Sequence, residues 1–162
     1  MKLNLDRFTE SRLLLPRLTS EWRDSAISEL SQRLESAQRI ENATAFTHAV
    51  LDRESLSVFD DVAFPLARAR TVRELSFTVG LSPQGFRWGI GRTALVHVVI
   101  LLAVPWNEGQ RYLSLLLTMF NFLHNKVAFS ALRRCSQPEE MLTVLSRVRC
   151  LRTGPGGAIA PR

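Results

Sequence analysis

The stretch Ala94–Pro105, ALVHVVILLAVP, is the longest nearly apolar run in the chain, and its aliphatic residues predict a strand. Because the run is almost continuous rather than alternating, we expect a strand that is covered by helices on both faces of a sheet. Together with Trp106 it spans 13 residues, interrupted by His97, whereas a membrane-spanning helix needs about 20. The stretch therefore predicts a core strand of a layered α/β domain.

Two shorter apolar runs before this stretch also read as strands, because Pro, Gly and charged turns separate them. They are residues 62–67, VAFPLA, and Leu75–Ser82, LSFTVGLS. The predicted fold class is a single α/β domain with a small mixed β-sheet flanked by helices on both faces. We divide the chain into an N-terminal lead-in at residues 1–12, the domain at 13–150 and a flexible tail at 151–162.

Two helices are predicted before the strands. Residues 21–40 have apolar side chains at three- and four-residue steps, and Thr19 or Ser20 can cap the start of the helix. A second helix is expected from Asn42, a good N-cap, to about Arg53. The two should form a helical hairpin.

Three helices are predicted after the strands. The first is Gln110–Leu123, the second is short and runs from Val127 to Arg133, and the third closes the domain near Val148 after a Ser136 cap. On the first we expect one apolar side made of Tyr112, Leu113, Leu116, Leu117, Phe120 and Leu123.

The chain of 162 residues, with 46% hydrophobic and 22% charged residues, has the composition of one globular domain. Cys135 and Cys150 lack CxxC spacing, so we expect free thiols rather than a zinc or redox site. The first ten residues, MKLNLDRFTE, do not resemble a secretory signal, and we expect a cytoplasmic protein with no membrane insertion.

The net charge of +6 would suit nucleic acid, because Lys and Arg displace the counterions condensed on phosphate. The basic residues are spread along the chain, however, and no nucleic-acid-binding motif accompanies them. We expect no nucleic-acid partner. Residues 89–94, GIGRTA, fit a dinucleotide fingerprint formally, but they precede a strand instead of following one, so we interpret them as a turn.

The candidate catalytic side chains are few. His48, His97 and His124 are too scattered for a local metal site, and His97, inside an apolar strand, is expected to be a hydrogen-bonded core histidine. Ser55 and Ser57 lack the motif of a nucleophilic serine. We expect no metal and no cofactor.

The order of elements and several motifs resemble one known family. Residues 62–68, VAFPLAR, are similar to the Gly-Ile-Ala-Ile-Pro-His-Ala/Gly-Arg active-site strand of bacterial enzyme IIA domains of the phosphoenolpyruvate-dependent sugar phosphotransferase system, type 2, the fructose/mannitol/nitrogen-regulatory class. Residues 46–56 resemble the family's helix that ends in Arg-Glu, and residues 98–116 resemble its core strand and the helix after it. The resemblance extends from about Leu13 to Val148.

This resemblance implies a changed active site. In the family, the histidine after the proline takes a phosphoryl group from the phosphohistidine of a small carrier protein and passes it to a sugar permease component. Leu66 stands at that position, and an isobutyl group is no nucleophile. Arg53 matches the family arginine beside the phosphohistidine, while Tyr112, or Arg111 after a one-residue shift, stands where a second histidine is common.

Two further features bear on this interpretation. Arg53 could equally be a helix-terminal arginine that pairs with Glu54 or Asp52 or caps carbonyls. Asp60 and Asp61, beside the expected site, would oppose a phosphate. We therefore expect a regulatory protein-interaction module, without enzymatic phosphotransfer, whose partners are proteins such as phosphotransferase-system components.

Two alternatives stay open. The chain could be a phosphocarrier that uses another residue, with His97 the best candidate because its strand neighbours the active-site strand in the family fold. It could also be a structural or anion-binding domain that recognises an acidic partner through Arg68, Arg70 and Arg73.

Overall fold

The computed structural model describes residues 4–53, 58–89 and 95–149. Its strands are β1 (Leu14–Leu15), β2 (Val58–Phe59), β3 (Val62–Ala63), β4 (Leu66–Ala69), β5 (Ser76–Arg87) and β6 (Leu95–Pro105). Its helices are α1 (Arg23–Ser36), α2 (Ala43–Asp52), α3 (Gln110–His124), α4 (Lys126–Arg133) and α5 (Pro138–Ser146). Two short 3₁₀ turns, Leu5–Arg7 and Ser11–Leu13, precede β1. Ser55, Ser57, Cys150 and the predicted tail lie outside the described residues.

β6 organises the sheet, whose strand order is β1-β5-β6-β3-β2, with β4 also paired to β6. β5 is antiparallel to β6, whereas β3 and β4 follow one another along its other edge and are parallel to it. The predicted strand at 62–67 is split, because Pro65 has no amide hydrogen to donate. Its carbonyl still accepts from the amide of Leu102 at 3.0 Å, which keeps the two halves in line. The sheet is therefore mixed, as predicted.

Helices cover both faces of the sheet, which confirms the predicted layered architecture. Val98, Ile100 and Leu102 of β6 belong to the hydrophobic cluster on the side of α3, α4 and α5. The alternate residues Val99 and Leu101 belong to the cluster that contains the buried side chains of α1 and α2. Successive strand residues point to opposite faces, so a strand buried on both sides reads as a continuous apolar run.

The predicted apolar side of α3 coincides only in part with the side that faces the core. Leu113 is 51% exposed and Phe120 is 38% exposed. The buried residues of the helix are Leu115, Thr118, Met119, Phe122 and Leu123. Of the predicted set, Leu123 is buried, and Tyr112 and Leu116 are half-buried against the core. Since α3 carries apolar residues nearly all round, helical spacing alone could not select the inner face.

Helix starts were predicted with mixed success. Asn42 caps α2 as expected, because its side chain accepts from the amide of Ala45 at 2.8 Å. Neither Thr19 nor Ser20 caps α1; their amides instead donate to the carboxylate of Glu29, at 3.2 and 3.1 Å. The cap of α5 is Gln137 rather than Ser136, with Glu140 accepting from the Gln137 amide at 2.9 Å.

No helix within the described part of the chain combines the length and the hydropathy that a membrane span requires.

Candidate functional site

Leu66, the residue predicted at the phosphate-accepting position, is the first residue of β4 and lies opposite Leu102 of β6. Its side chain is half-buried and packs against the hydrophobic cluster on the α3 side of the sheet. An aliphatic side chain has no lone pair for a phosphoryl group and no proton to exchange. This position can contribute packing and an apolar surface, but no chemistry.

Arg53 follows the last residue of α2 directly, and α2 packs against β4. The amide of Arg53 donates to the carbonyl of Val50 at 3.2 Å, and its side chain is exposed. It forms no ion pair with Asp52 or any other described residue; Glu54 lies outside the described residues. The fold therefore brings the element that ends in Arg53 to the strand that begins with Leu66.

Tyr112 lies in the first turn of α3 and packs, half-buried, against the same hydrophobic cluster as Leu66. The other candidate at this place, Arg111, is already engaged. Its guanidinium lies 3.0 Å from Glu108 Oε1, and its Cζ is 5.4 Å from the centre of the Phe8 ring. Tyr112 rather than Arg111 thus shares a packing environment with Leu66.

The carboxylate of Asp61 is not a free negative charge. Arg133 of α4 donates to both carboxylate oxygens of Asp61, at 3.0 Å from Nη1 to Oδ1 and 2.5 Å from Nη2 to Oδ2. Partial burial alone would raise the pKa of Asp61, but the hydrogen bonds and charge of Arg133, with a smaller contribution from His97, hold that pKa below its usual value. Only the exposed Asp60, whose φ is 53°, remains as an uncompensated acid of the predicted pair.

His97 is not the enclosed core histidine expected from the sequence, since its side chain is 31% exposed. Its Nδ1 lies 3.1 Å from Asp61 Oδ2, an ion-pair distance, but the two atoms are not aligned for a hydrogen bond. Its Nε2 faces Gly85, where a Cβ atom would lie only 2.7 Å away. The structure therefore places His97 with Asp61 and Gly85, and not with Leu66.

The distance along β6 separates these two places. Val98 pairs with Val62 and Leu102 pairs with Leu66, so His97 lies five positions before the level of Leu66. At about 3.3 Å per residue, five positions correspond to about 17 Å along the strand. His48 and His124 are exposed, on α2 and at the end of α3.

An open cavity of about 590 Å³ lies between the segments 17–22 and 82–87. Those β5 residues adjoin the start of β6, whereas Leu66 and β4 pair with its end. The cavity is therefore at the other end of the sheet. Among residues 4–53, 58–89 and 95–149, no three His, Cys, Asp or Glu side chains converge as metal ligands would.

One feature near Leu66 was missed by the sequence analysis. Trp106, 53% exposed, follows β6 directly, and both Arg68 and Arg70 lie over its ring, at 5.5 and 5.4 Å from Cζ to the ring centre. Arg68 also donates to the Trp106 carbonyl from Nε at 2.8 Å. The signal in the sequence was the alternation Leu66, Arg68, Arg70, which places these residues on one side of an extended chain.

Comparison with known proteins identifies relatives along almost the whole chain. Residues 7–148 match the family described as "Phosphoenolpyruvate-dependent sugar phosphotransferase system, EIIA 2". The chain is 30% identical over 150 residues to the 2-O-alpha-mannosyl-D-glycerate-specific EIIABC component of Escherichia coli K12, a match that covers 88% of this chain and 22% of that protein.

Solved structures support the same fold. The nitrogen regulatory protein IIA-Ntr of Neisseria meningitidis superposes with a TM-score of 0.75 at 16% identity, covering 86% of this chain and 97% of that one. The IIA mannitol structure from Escherichia coli superposes with a TM-score of 0.69 at 20% identity, covering 83% and 96%. A third similar structure, with a TM-score of 0.68 at 21% identity and coverage of 83% and 94%, is IIA mannitol in complex with phosphorylated enzyme IIB mannitol of Escherichia coli.

Proposed function

The chain belongs to the EIIA type 2 family of the phosphoenolpyruvate-dependent sugar phosphotransferase system, and from this we propose that it acts as a regulatory protein-interaction module that carries no phosphate at position 66. The observation on which the proposal depends is the aliphatic side chain of Leu66 at the start of β4. In the family resemblance, this is the position of the phosphate-accepting histidine. A leucine at this position removes the nucleophile but does not change the fold.

The surroundings of Leu66 support the loss of phosphotransfer. The side chain packs against the hydrophobic cluster instead of standing free, and Tyr112 packs against the same cluster where a second histidine is common in the family. Arg53 directly follows α2, but a single exposed arginine cannot form a covalent intermediate. This combination fits a docking surface better than a reaction centre.

The proposed partners are proteins, and components of the phosphotransferase system are the first candidates. The similar IIA mannitol structure has been solved in complex with phosphorylated enzyme IIB mannitol. We propose that the present chain uses the surface of residues 62–73 in a comparable contact. The pathway controlled by such a contact, sugar transport or nitrogen regulation, would follow from the partner.

Phosphorylation with radiolabelled phosphoenolpyruvate, enzyme I and the histidine carrier protein tests the proposal, with the mannitol IIA domain of Escherichia coli as a labelled control. We expect no acid-labile label on the wild-type chain. We expect label on Leu66→His, since Arg53 and β4 are retained, and none on the similarly sized Leu66→Gln. Acid-labile label on the wild-type chain would overturn the proposal.

A second candidate function is phosphotransfer through His97, favoured by the 3.1 Å approach of its Nδ1 to Asp61, because a carboxylate can orient a nucleophilic imidazole. Against it stand the position of His97 at the far end of β6 and the contact of Nε2 with Gly85. Label on the wild-type chain that disappears in His97→Ala and persists in His48→Ala would establish this candidate.

A further inference from the structure

Two exposed features of the α3 side of the molecule adjoin one another. The first, the Trp106 patch, consists of Arg68, Arg70 and Trp106. The second, the α3 stripe, consists of the exposed Leu113 and Phe120 with the half-buried Leu117 between them, spaced four and three residues apart on one side of the helix. α3 begins four residues after Trp106, so the patch lies at the N-terminal end of the stripe.

The Trp106 patch is positively charged and is not neutralised within the described residues. Some of the hydrogen-bond donors of the Arg68 guanidinium are engaged, because Nε and Nη2 donate to the Trp106 carbonyl at 2.8 and 2.5 Å. Arg70 contacts the Trp106 ring but makes no ion pair or hydrogen bond with a described residue. Both guanidinium groups are held on an exposed indole, which fixes two cations in place before any ligand arrives.

The α3 stripe is apolar and free of acidic residues. α3 contains no Asp or Glu, and Leu113 and Phe120 are among the most exposed large hydrophobic side chains of the described chain. The Phe120 ring is held by a stacked contact with Phe64, with centres 5.7 Å apart. Beyond the stripe, the ring of Phe59, 42% exposed, contacts that of His124 at 5.0 Å.

These dimensions fit one helix of a partner. From Leu113 to His124 the helix rises about 16 Å, the length of about three turns of a second α-helix. One helix packs along another by placing a row of apolar side chains between the side chains of its neighbour. The opposite side of α3 is fully used in the core, since Leu115 and Met119 have no exposed surface.

We propose that the Trp106 patch and the α3 stripe together dock an amphipathic helix of a partner protein, with its carboxylates over Arg68 and Arg70 and its apolar side chains on Leu113 and Phe120. The inference rests on the proposed function and supplies the chemistry of its partner: an acidic, apolar protein segment. A planar guanidinium recognises a carboxylate through paired hydrogen bonds, and an apolar row supplies burial.

The probe is a fluorescein-labelled 18-residue helical peptide with leucines at positions i, i+3, i+4 and i+7 and glutamates on its remaining exposed positions. A peptide with lysines in place of these glutamates is the comparison. We expect the glutamate peptide to bind the wild-type chain at least tenfold more tightly, in fluorescence anisotropy titrations at low salt. Equal affinities of the two peptides would overturn the proposal.

Charge reversal tests the patch itself. The double variant Arg68→Glu/Arg70→Glu should weaken binding of the glutamate peptide at least tenfold. The control Arg33→Glu/Arg87→Glu changes two exposed arginines outside residues 62–73 and alters the net charge equally, and should leave binding within about twofold. An equal loss in both double variants would mean attraction by net charge alone and would overturn the proposal.

Two further experiments test the α3 stripe and the alternative that a membrane occupies this surface. Leu113→Asp should also weaken the glutamate peptide at least tenfold, with the circular dichroism spectrum unchanged; unaltered binding by the folded variant would overturn the proposal. Vesicles of phosphatidylcholine with phosphatidylserine should not capture the chain. Capture by vesicles that requires Arg68 and Arg70, without peptide selectivity, would instead assign the surface to membranes and overturn the proposal.

The result is separable from that of the phosphorylation experiment. Acid-labile label on the wild-type chain overturns the proposed function whichever peptide binds. Loss of peptide selectivity on an unlabelled chain overturns only the docking inference.

Discussion

Arg133 donates hydrogen bonds to both carboxylate oxygens of Asp61, which lies 72 positions earlier in the sequence. This pair connects the turn between β2 and β3 to the end of α4. The carbonyl of the same aspartate accepts from the amide of His97 at 2.8 Å. Asp61 thus joins three elements, β3, β6 and α4, with one side chain and one peptide group.

Replacing Asp61 with Asn should lower the free energy of unfolding at pH 7 by about 1 kcal/mol, because the pair is charged but partly exposed. The pKa of Asp61 is lowered in the folded protein. Its contribution is therefore complete above the ordinary aspartate pKa of about 3.9 and is lost as the pH falls through the lower folded pKa. Urea unfolding of both proteins between pH 7 and pH 2 measures the difference, which should shrink at the acid end.

Asp60→Asn is the matched control. Asp60 is exposed and has a φ of 53°, a region that Asn tolerates well. We expect its effect on the free energy of unfolding at pH 7 to stay within about 0.5 kcal/mol. A pH-independent cost of Asp61→Asn would contradict the role assigned to the Arg133 pair.

Gly85→Ala should destabilise the fold by about 2–4 kcal/mol, because it adds a strained backbone to an overlap with the His97 ring. Gly85 has a φ of +74°, and the added Cβ would lie 2.7 Å from His97 Nε2. Gly89→Ala is the control, since nothing lies within 4 Å of its Cβ position. Thermal and urea unfolding give both values.

A double variant separates the two causes of the Gly85 effect. Adding His97→Ala to Gly85→Ala removes the overlap but leaves the left-handed backbone. The combined cost should therefore be smaller than the sum of the two single costs. Simple additivity would show that His97 does not press on this position.

Alanine substitutions at Leu115 and Leu113 test which side of α3 faces the core. Leu115→Ala should lower the free energy of unfolding by about 2–5 kcal/mol, since it leaves a cavity in the core. Leu113→Ala should change it by no more than about 0.5 kcal/mol, because that side chain is half exposed. Similar costs for the two leucines would mean that α3 is rotated relative to the sheet.

Sequence patterns predicted what depends on neighbours in the chain. The run that became β6 shows its burial by composition alone, and Asn42 caps α2 through an amide three residues away. Sequence patterns did not predict the structure correctly where several faces of a helix were equally apolar. α3 offers apolar residues on every side, and only the packing of the sheet selects Leu115 over Leu113.

For the candidate site, too, sequence patterns predicted the local features and not the contacts between distant segments. The position of Leu66 on a strand beside β6 follows from the motif around Pro65, and the structure has that strand. The contact of Arg133 with Asp61 and the two arginines on Trp106 join segments 72 and 36 to 38 positions apart. No local spacing specifies such partners, because they depend on which ends of the strands meet.

The place of β6 at the middle of the sheet affects how the protein folds during synthesis. α1, α2 and the five strands β1 to β5 leave the ribosome before β6 exists, and β1 can pair only after β5 has emerged, with Leu14 opposite Val79. Pairing of such distant segments is slow, because the intervening chain must close first. The apolar sides of α1 and α2 are therefore exposed until about residue 105 has emerged, so the nascent chain should depend on chaperones more than a helical bundle of the same length does.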